Sequence, residues 1–342
     1  MNTDPFHPLI KENFHVESVD LNRLSELVAM FNRCSQTMIG EDDFSLEEYR
    51  LEYQVPGFNL EKSTRVVYTP DNRPVGVVEV WDHDPVPAHP YIWALVDPEW
   101  EGKGIGSAMM TWALVRARQA LKRVPADLRV SVRSSVTANY QPARELLEDF
   151  DMTPIRQYLR MIIDLDEAPP APEWPTGITL RPFRPDQDAE AVYRAEDEAF
   201  RDHWGYVEKP FETGFEEWKH YTLNHPDFDP TLWLIAMDAD DIAGLARCVG
   251  VTSNDPDMGW VNVLGVRRPW RRRGLGLALL RHSFCALYQR GKKRAGLGVD
   301  STSLTGAARL YERAGMHTAR ITTSYELELR EGVESMTETV PA

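Results

Sequence analysis

Residues 260–290 read WVNVLGVRRPWRRRGLGLALLRHSFCALYQR. An apolar run ending at Val266 gives way to a turn carrying Arg267, Arg268, Arg271, Arg272 and Arg273. Gly274-Leu275-Gly276 and an apolar helical stretch follow. A strand, a basic glycine turn and a helix in that order predict anion capture. The first N–H groups of a helix have no intrahelical partner, and the macrodipole adds about half a positive charge there. Glycines at 274 and 276 keep side chains out of the path of a diphosphate and let the chain turn sharply. Five arginines within seven residues stand out in a chain of formal charge −15. The phosphate-loop pattern GxxxxGK[ST] is absent, and a dinucleotide fingerprint fails because no third glycine follows at the required spacing.

Working outward, the second half reads as strand ITLRPF, helices DAEAVYRAEDEAF and FETGFEEWKHYTL, and a hairpin of LWLIAMD and AGLARCVG. The quoted stretch comes next, then AGLGVD, the helix TGAARLYERAG and closing strands in RITTSYELEL. The first half repeats this order, from FHVESVD through TRVVYT, PVGVVEVW and YIWALV to a last strand pair ending in YLRMIIDL. Both halves follow β-α-α-β-β-β-α-β-α-β-β. Between them lies DEAPPAPEWPTG, too rich in proline for regular structure. The expected organisation is a domain over 1–165, a linker over 166–177, a domain over 178–330 and a flexible polar tail over 331–342. In the first half the turn is Glu101-Gly102-Lys103-Gly104-Ile105-Gly106. Gly104 and Gly106 match their counterparts, but Glu101 sets a carboxylate where the second copy has Arg271.

A chain of 342 residues with 42% apolar and 27% charged content suits two ordinary globular domains. Its acidity argues against nucleic acid and anionic membranes, which repel such a surface at long range. Cys34, Cys248 and Cys285 show no metal or redox spacing and read as reduced. MNTDPFHPLI lacks the features of a signal peptide, and no run of 18 apolar residues exists. The expectation is a cytoplasmic protein, monomeric or homodimeric.

The element order and the turn together resemble the GCN5-related N-acetyltransferase (GNAT) superfamily. Its acetyl-CoA signature, (Arg/Gln)-x-x-Gly-x-(Gly/Ala), stands here as Arg271, Gly274 and Gly276. The resemblance covers both halves, as in the duplicated mycothiol synthases. It implies an α/β (α+β) fold of two tandem GNAT-like domains, each a mixed, mostly antiparallel sheet flanked by helices. It also implies acetyl-CoA as co-substrate, a small-molecule primary amine as acceptor, and no metal. Arg271, Arg272, Arg273, Gly274, Leu275 and Gly276 would hold the diphosphate, and Gly104 and Gly106 would mark the first-copy seat. Leu264, Gly265 and Val266 would lie along the pantetheine arm on a strand that splays from its neighbour.

Tyr311, in Leu310-Tyr311-Glu312-Arg313-Ala314-Gly315-Met316, matches the family tyrosine that protonates the leaving thiolate. Leu147 holds that position in the first half. In mycothiol-synthase-like sequences a glutamate follows the glycine that opens the fourth strand. Here Trp260 follows Gly259, leaving Asp255, Asp257 and Asn262 to orient a water. Glu198, Phe200, His203 and Trp204 fall where this family builds its acceptor pocket, and Trp218 is either pocket wall or core. The acidic run Glu41-Asp42-Asp43 reads as a solvated turn, and His83 and His89 fit no metal-ligand spacing. Two other readings stay open: a non-catalytic acyl-CoA sensor, and an acetyltransferase acting on protein amines across an open groove.

Overall fold

The computed structural model describes residues 4–225, 227–252, 255–302 and 306–338. The chain forms two compact units, Met1–Arg156 with Thr322–Ser335, and Gln157–Ile321 with Met336–Ala342. In chain order the first half holds α1 (His7–Lys11), β1 (His15–Glu17), α2 (Leu24–Ile39), α3 (Leu46–Glu52), α4 (Leu60–Ser63), β2 (Thr64–Tyr68), β3 (Pro74–Trp81), β4 (Tyr91–Val96), α5 (Ile105–Ala117), β5 (Val130–Thr137), α6 (Gln141–Asp149) and β6 (Thr153–Asp164). The second half holds β7 (Ile178–Pro182), α7 (Pro185–Phe200), α8 (Phe211–Thr222), β8 (Trp233–Asp238), β9 (Asp241–Val249), β10 (Met258–Val266), α9 (Leu275–Gln289), β11 (Arg294–Asp300), α10 (Ala307–Arg313) and β12 (His317–Arg330).

Each unit is a mixed, mostly antiparallel sheet with helices on both faces. In the first unit β1 to β4 pair antiparallel in sequence order, and β4 meets β5 in parallel. Residues 322–330 of β12 then close the sheet against β5. The second unit repeats the plan with β7 to β11, closed by residues 158–164 of β6 against β11. Each half therefore ends in one long strand where a strand pair is expected, and each strand completes the sheet of the other half.

Local chemistry explains the elements. The Ser45 hydroxyl accepts from the Glu48 N–H at 3.2 Å, capping α3 in a serine-to-glutamate box. PVGVVEVW is buried at every position but its last, as a strand covered on both faces must be. Helix α9 buries Leu275, Leu279, Leu280, Phe284 and Leu287 on one stripe, worth about 1.5–3 kcal/mol per side chain. On the opposite face α7 and α8 bring Val192 and Trp218 onto Ile235 and Leu245.

Residues 166–177 form no helix or strand, yet Trp174 packs edge-on to His282 of α9 at 5.8 Å. Between Arg330 and Thr337 the chain stays bonded, while 339–342 of the expected tail lie outside the described residues. The Val333 N–H donates to Asp127 at 2.8 Å in the first unit. In the second, Thr337 donates to the Tyr206 carbonyl at 2.8 Å and accepts from the Gly205 N–H at 2.9 Å. No helix among the described residues is long and apolar enough to cross a membrane.

Candidate functional site

In the second unit, β10 ends at Val266 and α9 starts at Leu275, with Gly274 as its N-cap at φ +88°. That left-handed conformation favours glycine. The helix ladder begins with the Ala278 N–H donating to the Gly274 carbonyl at 3.1 Å. The N–H groups just ahead of Ala278 have no intrahelical acceptor. A Cβ on Gly276 would meet Leu310 only at an ordinary 3.4 Å. Packing alone therefore does not demand glycine at 276.

The five arginines divide. Arg267 pairs with Glu198 at 2.8 Å. Arg268 and Arg271 both bind Asp202, Arg271 at 2.5 Å, and the Arg271 guanidinium also donates to the carbonyls of Val266 (3.0 Å) and Ala199 (2.9 Å). Hydrogen bonds from Arg268 and Arg271 hold the Asp202 carboxyl down at about 2. These three arginines stitch the turn to the end of α7, while Arg272 and Arg273 are exposed beside Gly274. Glu198 is spent on Arg267 and does not line the cavity described below.

β10 pairs with β11 only over Met258–Trp260 against Arg294–Gly296. Beyond Trp260 it stays paired to β9, with a bulge between Val261 and Val263. Leu264, Gly265 and Val266 thus follow a splay, with the edge toward β11 outside the ladder. Asn262 sits in the bulge and is exposed, beside a water-sized void shared with Tyr221, His225 and Arg247.

Tyr311 of α10 is 7% exposed and joins one apolar cluster with Val261, Leu280 and Phe284, against which Leu264 packs. Burial pushes its hydroxyl up to about 12. Asp257 lies ahead of β10, at the end remote from the turn, where it pairs with Lys293 at 2.8 Å. That bond lowers its carboxyl and engages it away from Asn262.

On the α7–α8 face lies a cavity of about 360 Å³ lined by Tyr193, Glu196, Asp197, Phe200, Tyr206, Trp218 and Val263. Phe200 links it to the splayed strand, because a Cβ on Gly265 would lie 3.3 Å from both Ala199 and Phe200. Of the acceptor candidates, Phe200 lines it, and Trp218, read as wall or core, lines it too. His203 packs on Phe200 at 4.4 Å, with its pKa lowered by burial. Trp204 is half-buried outside the lining. Tyr193, Glu196, Asp197, Tyr206 and Val263 were not anticipated as lining. The first three stand with Phe200 at i, i+3, i+4 and i+7, the spacing of one helix face.

In the first unit Gly104 caps α5 at φ +79°. A Cβ on Gly106 would fall 2.9 Å from the end of the Leu146 side chain, a tighter fit than at Gly276. The Glu101 carboxylate accepts from the Tyr140 hydroxyl. Leu147 is buried where the second unit has Tyr311.

Two copies of this strand–turn–helix architecture define a tandem acyl-CoA-dependent acyltransferase. The chain belongs to the acetyltransferase (GNAT) family, whose model matches residues 25–149 and again 189–316, and it is an N-acetyltransferase using an acyl-CoA co-substrate. It is similar to the mycothiol acetyltransferase of Thermobispora bispora, 32% identical over 227 residues, which cover 65% of this chain and 70% of that protein. The mycothiol acetyltransferase of Streptomyces bingchenggensis is 30% identical over 266 residues, covering 76% and 77%. Among solved structures, a GCN5-related N-acetyltransferase from Sphaerobacter thermophilus superposes with a TM-score of 0.77 at 32% identity, covering 94% of this chain and 98% of that one. A tandem GNAT protein from the clavulanic acid biosynthesis pathway shares the fold at 14% identity, with a TM-score of 0.70 over 93% and 99%.

Proposed function

We propose that the second unit transfers the acetyl group of acetyl-CoA to the primary amine of a small molecule, by direct attack in a ternary complex. The carrying observation is that Phe200 fills the space a Cβ on Gly265 of the splayed strand would need and also lines the 360 Å³ cavity. In this reading Arg272, Arg273 and the N–H groups at Gly274, Leu275 and Gly276 receive the diphosphate, with Arg271 shaping the turn. The arm follows Leu264–Val266, and the amine waits in the cavity. Its nitrogen attacks the thioester carbon, the carbon–sulfur bond breaks, and the thiolate takes the Tyr311 proton. The amine proton leaves through water ordered near Asn262. A concavity of about 360 Å³ has the size of a small-molecule site.

A phenol near 12 is a weaker acid than an exposed one. The same desolvation lifts a buried thiol, however, as at Cys34, pushed up to about 12 by burial. Both partners of the transfer therefore move in the same direction.

The test is amine-dependent release of CoA thiol from acetyl-CoA, compared with Tyr311→Phe. The variant is expected to lose about 10²-fold in kcat with little change in KM. Because Tyr311 keeps its proton below about 12, its titration should leave no alkaline limb in the wild-type rate up to pH 10. Acetyl-CoA binding without turnover on any amine would show a sensor instead.

A further inference from the structure

We infer that the acceptor carries its amine on an apolar, ring-bearing body rather than a polyhydroxylated one. This rests on the reading that the cavity receives the acceptor.

The cavity wall contains polar groups, but they are committed to one another. Glu196 accepts from Arg247 at 2.9 Å and from the Trp218 indole N–H at 3.3 Å. Asp197 accepts from the Tyr206 hydroxyl at 2.9 Å on one oxygen and from Arg201 at 3.0 Å on the other. The Tyr193 hydroxyl is turned into α8, so close to Gly214 that a Cβ there would lie 2.1 Å from its oxygen. What remains for a ligand is mostly ring surface and the Val263 side chain.

A polyol entering such a space exchanges water for aromatic carbon at each hydroxyl it turns toward the wall. Each buried hydroxyl left unpaired costs about tenfold or more in affinity. An ammonium has an easier time. Asp197 is partly exposed, and a carboxylate oxygen can accept a second hydrogen bond. Ring faces attract a cation as well. At about 360 Å³ the space sits near the lower end of ligand pockets, which fits one ring and a short amine-bearing arm.

The experiment uses the full chain with acetyl-CoA, measuring kcat/KM by thiol release for phenethylamine, n-hexylamine and glucosamine. It compares wild type with Tyr206→Phe and Tyr206→Leu. Phenethylamine should exceed glucosamine at least tenfold. Tyr206→Phe should keep that preference, and Tyr206→Leu should reduce it several-fold. Glucosamine equal to or better than phenethylamine, with its turnover sensitive to Tyr206→Leu, would overturn the substrate class while leaving the site in place. So would n-hexylamine matching phenethylamine, since the ring would then add nothing. A phenethylamine preference untouched by Tyr206→Leu would remove the acceptor from this cavity. No thiol release with any amine would defeat the acetyl-transfer reading itself.

Discussion

The two units carry the same ladder with different side chains at matching rungs. Gly76 pairs with Val96 beneath α5, and Gly244 pairs with Val266 beneath α9. A Cβ on Gly76 would press on Ile105 and Met109, and one on Gly244 on the Gly265 carbonyl and Leu279. Stepping back along the strands, Leu95 of the first unit falls opposite Val77, where the second unit sets Gly265 opposite Leu245. Two rungs further, Glu79 faces Trp93 where Arg247 faces Val263. Trp93 packs with Phe31 (5.0 Å), Phe44 (5.9 Å) and Tyr49 (5.7 Å). Glu79 is buried and accepts from the Tyr53 hydroxyl and from the Trp81 indole at 2.8 Å. The comparison teaches that the two copies differ in bulk as well as in the tyrosine: Leu95 stands at the rung of Gly265, and Trp93 at that of Val263.

Moving first-unit residues into the second unit breaks or sharpens that contrast. Gly265→Leu should have the largest effect. Its Cβ alone would stand 3.3 Å from Ala199 and Phe200, so turnover should fall on the order of 10²–10³-fold. Calorimetry should show acetyl-CoA binding lost while circular dichroism reports an intact fold. Wild-type affinity in this variant would remove the arm from β10.

The next effect concerns Glu79, whose carboxyl burial pushes up to about 8. A raised folded-state pKa contributes stability that is full below the unfolded value and lost as pH rises through the folded one. The first unit should therefore weaken between about pH 4.5 and 8, by roughly 4 kcal/mol. Glu79→Gln should flatten that slope in denaturant titrations at pH 5 and pH 8. An unchanged slope would place the titration elsewhere.

The smallest effect is expected from Val263→Trp. It should raise KM for the amine about tenfold by filling part of the cavity and leave acetyl-CoA affinity within about twofold. Equal losses of both would mean the two ligands share that rung.

Much of this fold could be read from residue patterns. Alternating and continuous apolar runs located the strands, and Gly274 and Gly276 behind a basic turn located the start of α9. The strand exchange was not legible, because apolar spacing in YLRMIIDL or RITTSYELEL specifies a face and not a partner. Nor was the difference in bulk, since YIWALV is an equally good strand with leucine or glycine at position 95. The arginine cluster misled in part. Composition counts charges, and only the structure shows that Asp202 and Glu198 absorb Arg267, Arg268 and Arg271. The cavity face of α7 was disguised because Glu196 and Asp197 resemble the solvated side of an acidic helix.

The exchanged strands also impose an order of birth. β5 leaves the ribosome nearly two hundred residues before 322–330, its closing partner. At cellular elongation rates that is roughly 10–40 s with one sheet edge unsealed. An open edge is a template for foreign strands, so the nascent first half is the moment of greatest exposure to aggregation. A gene split at residues 166–177 would make this permanent, leaving each product without the strand that completes its sheet.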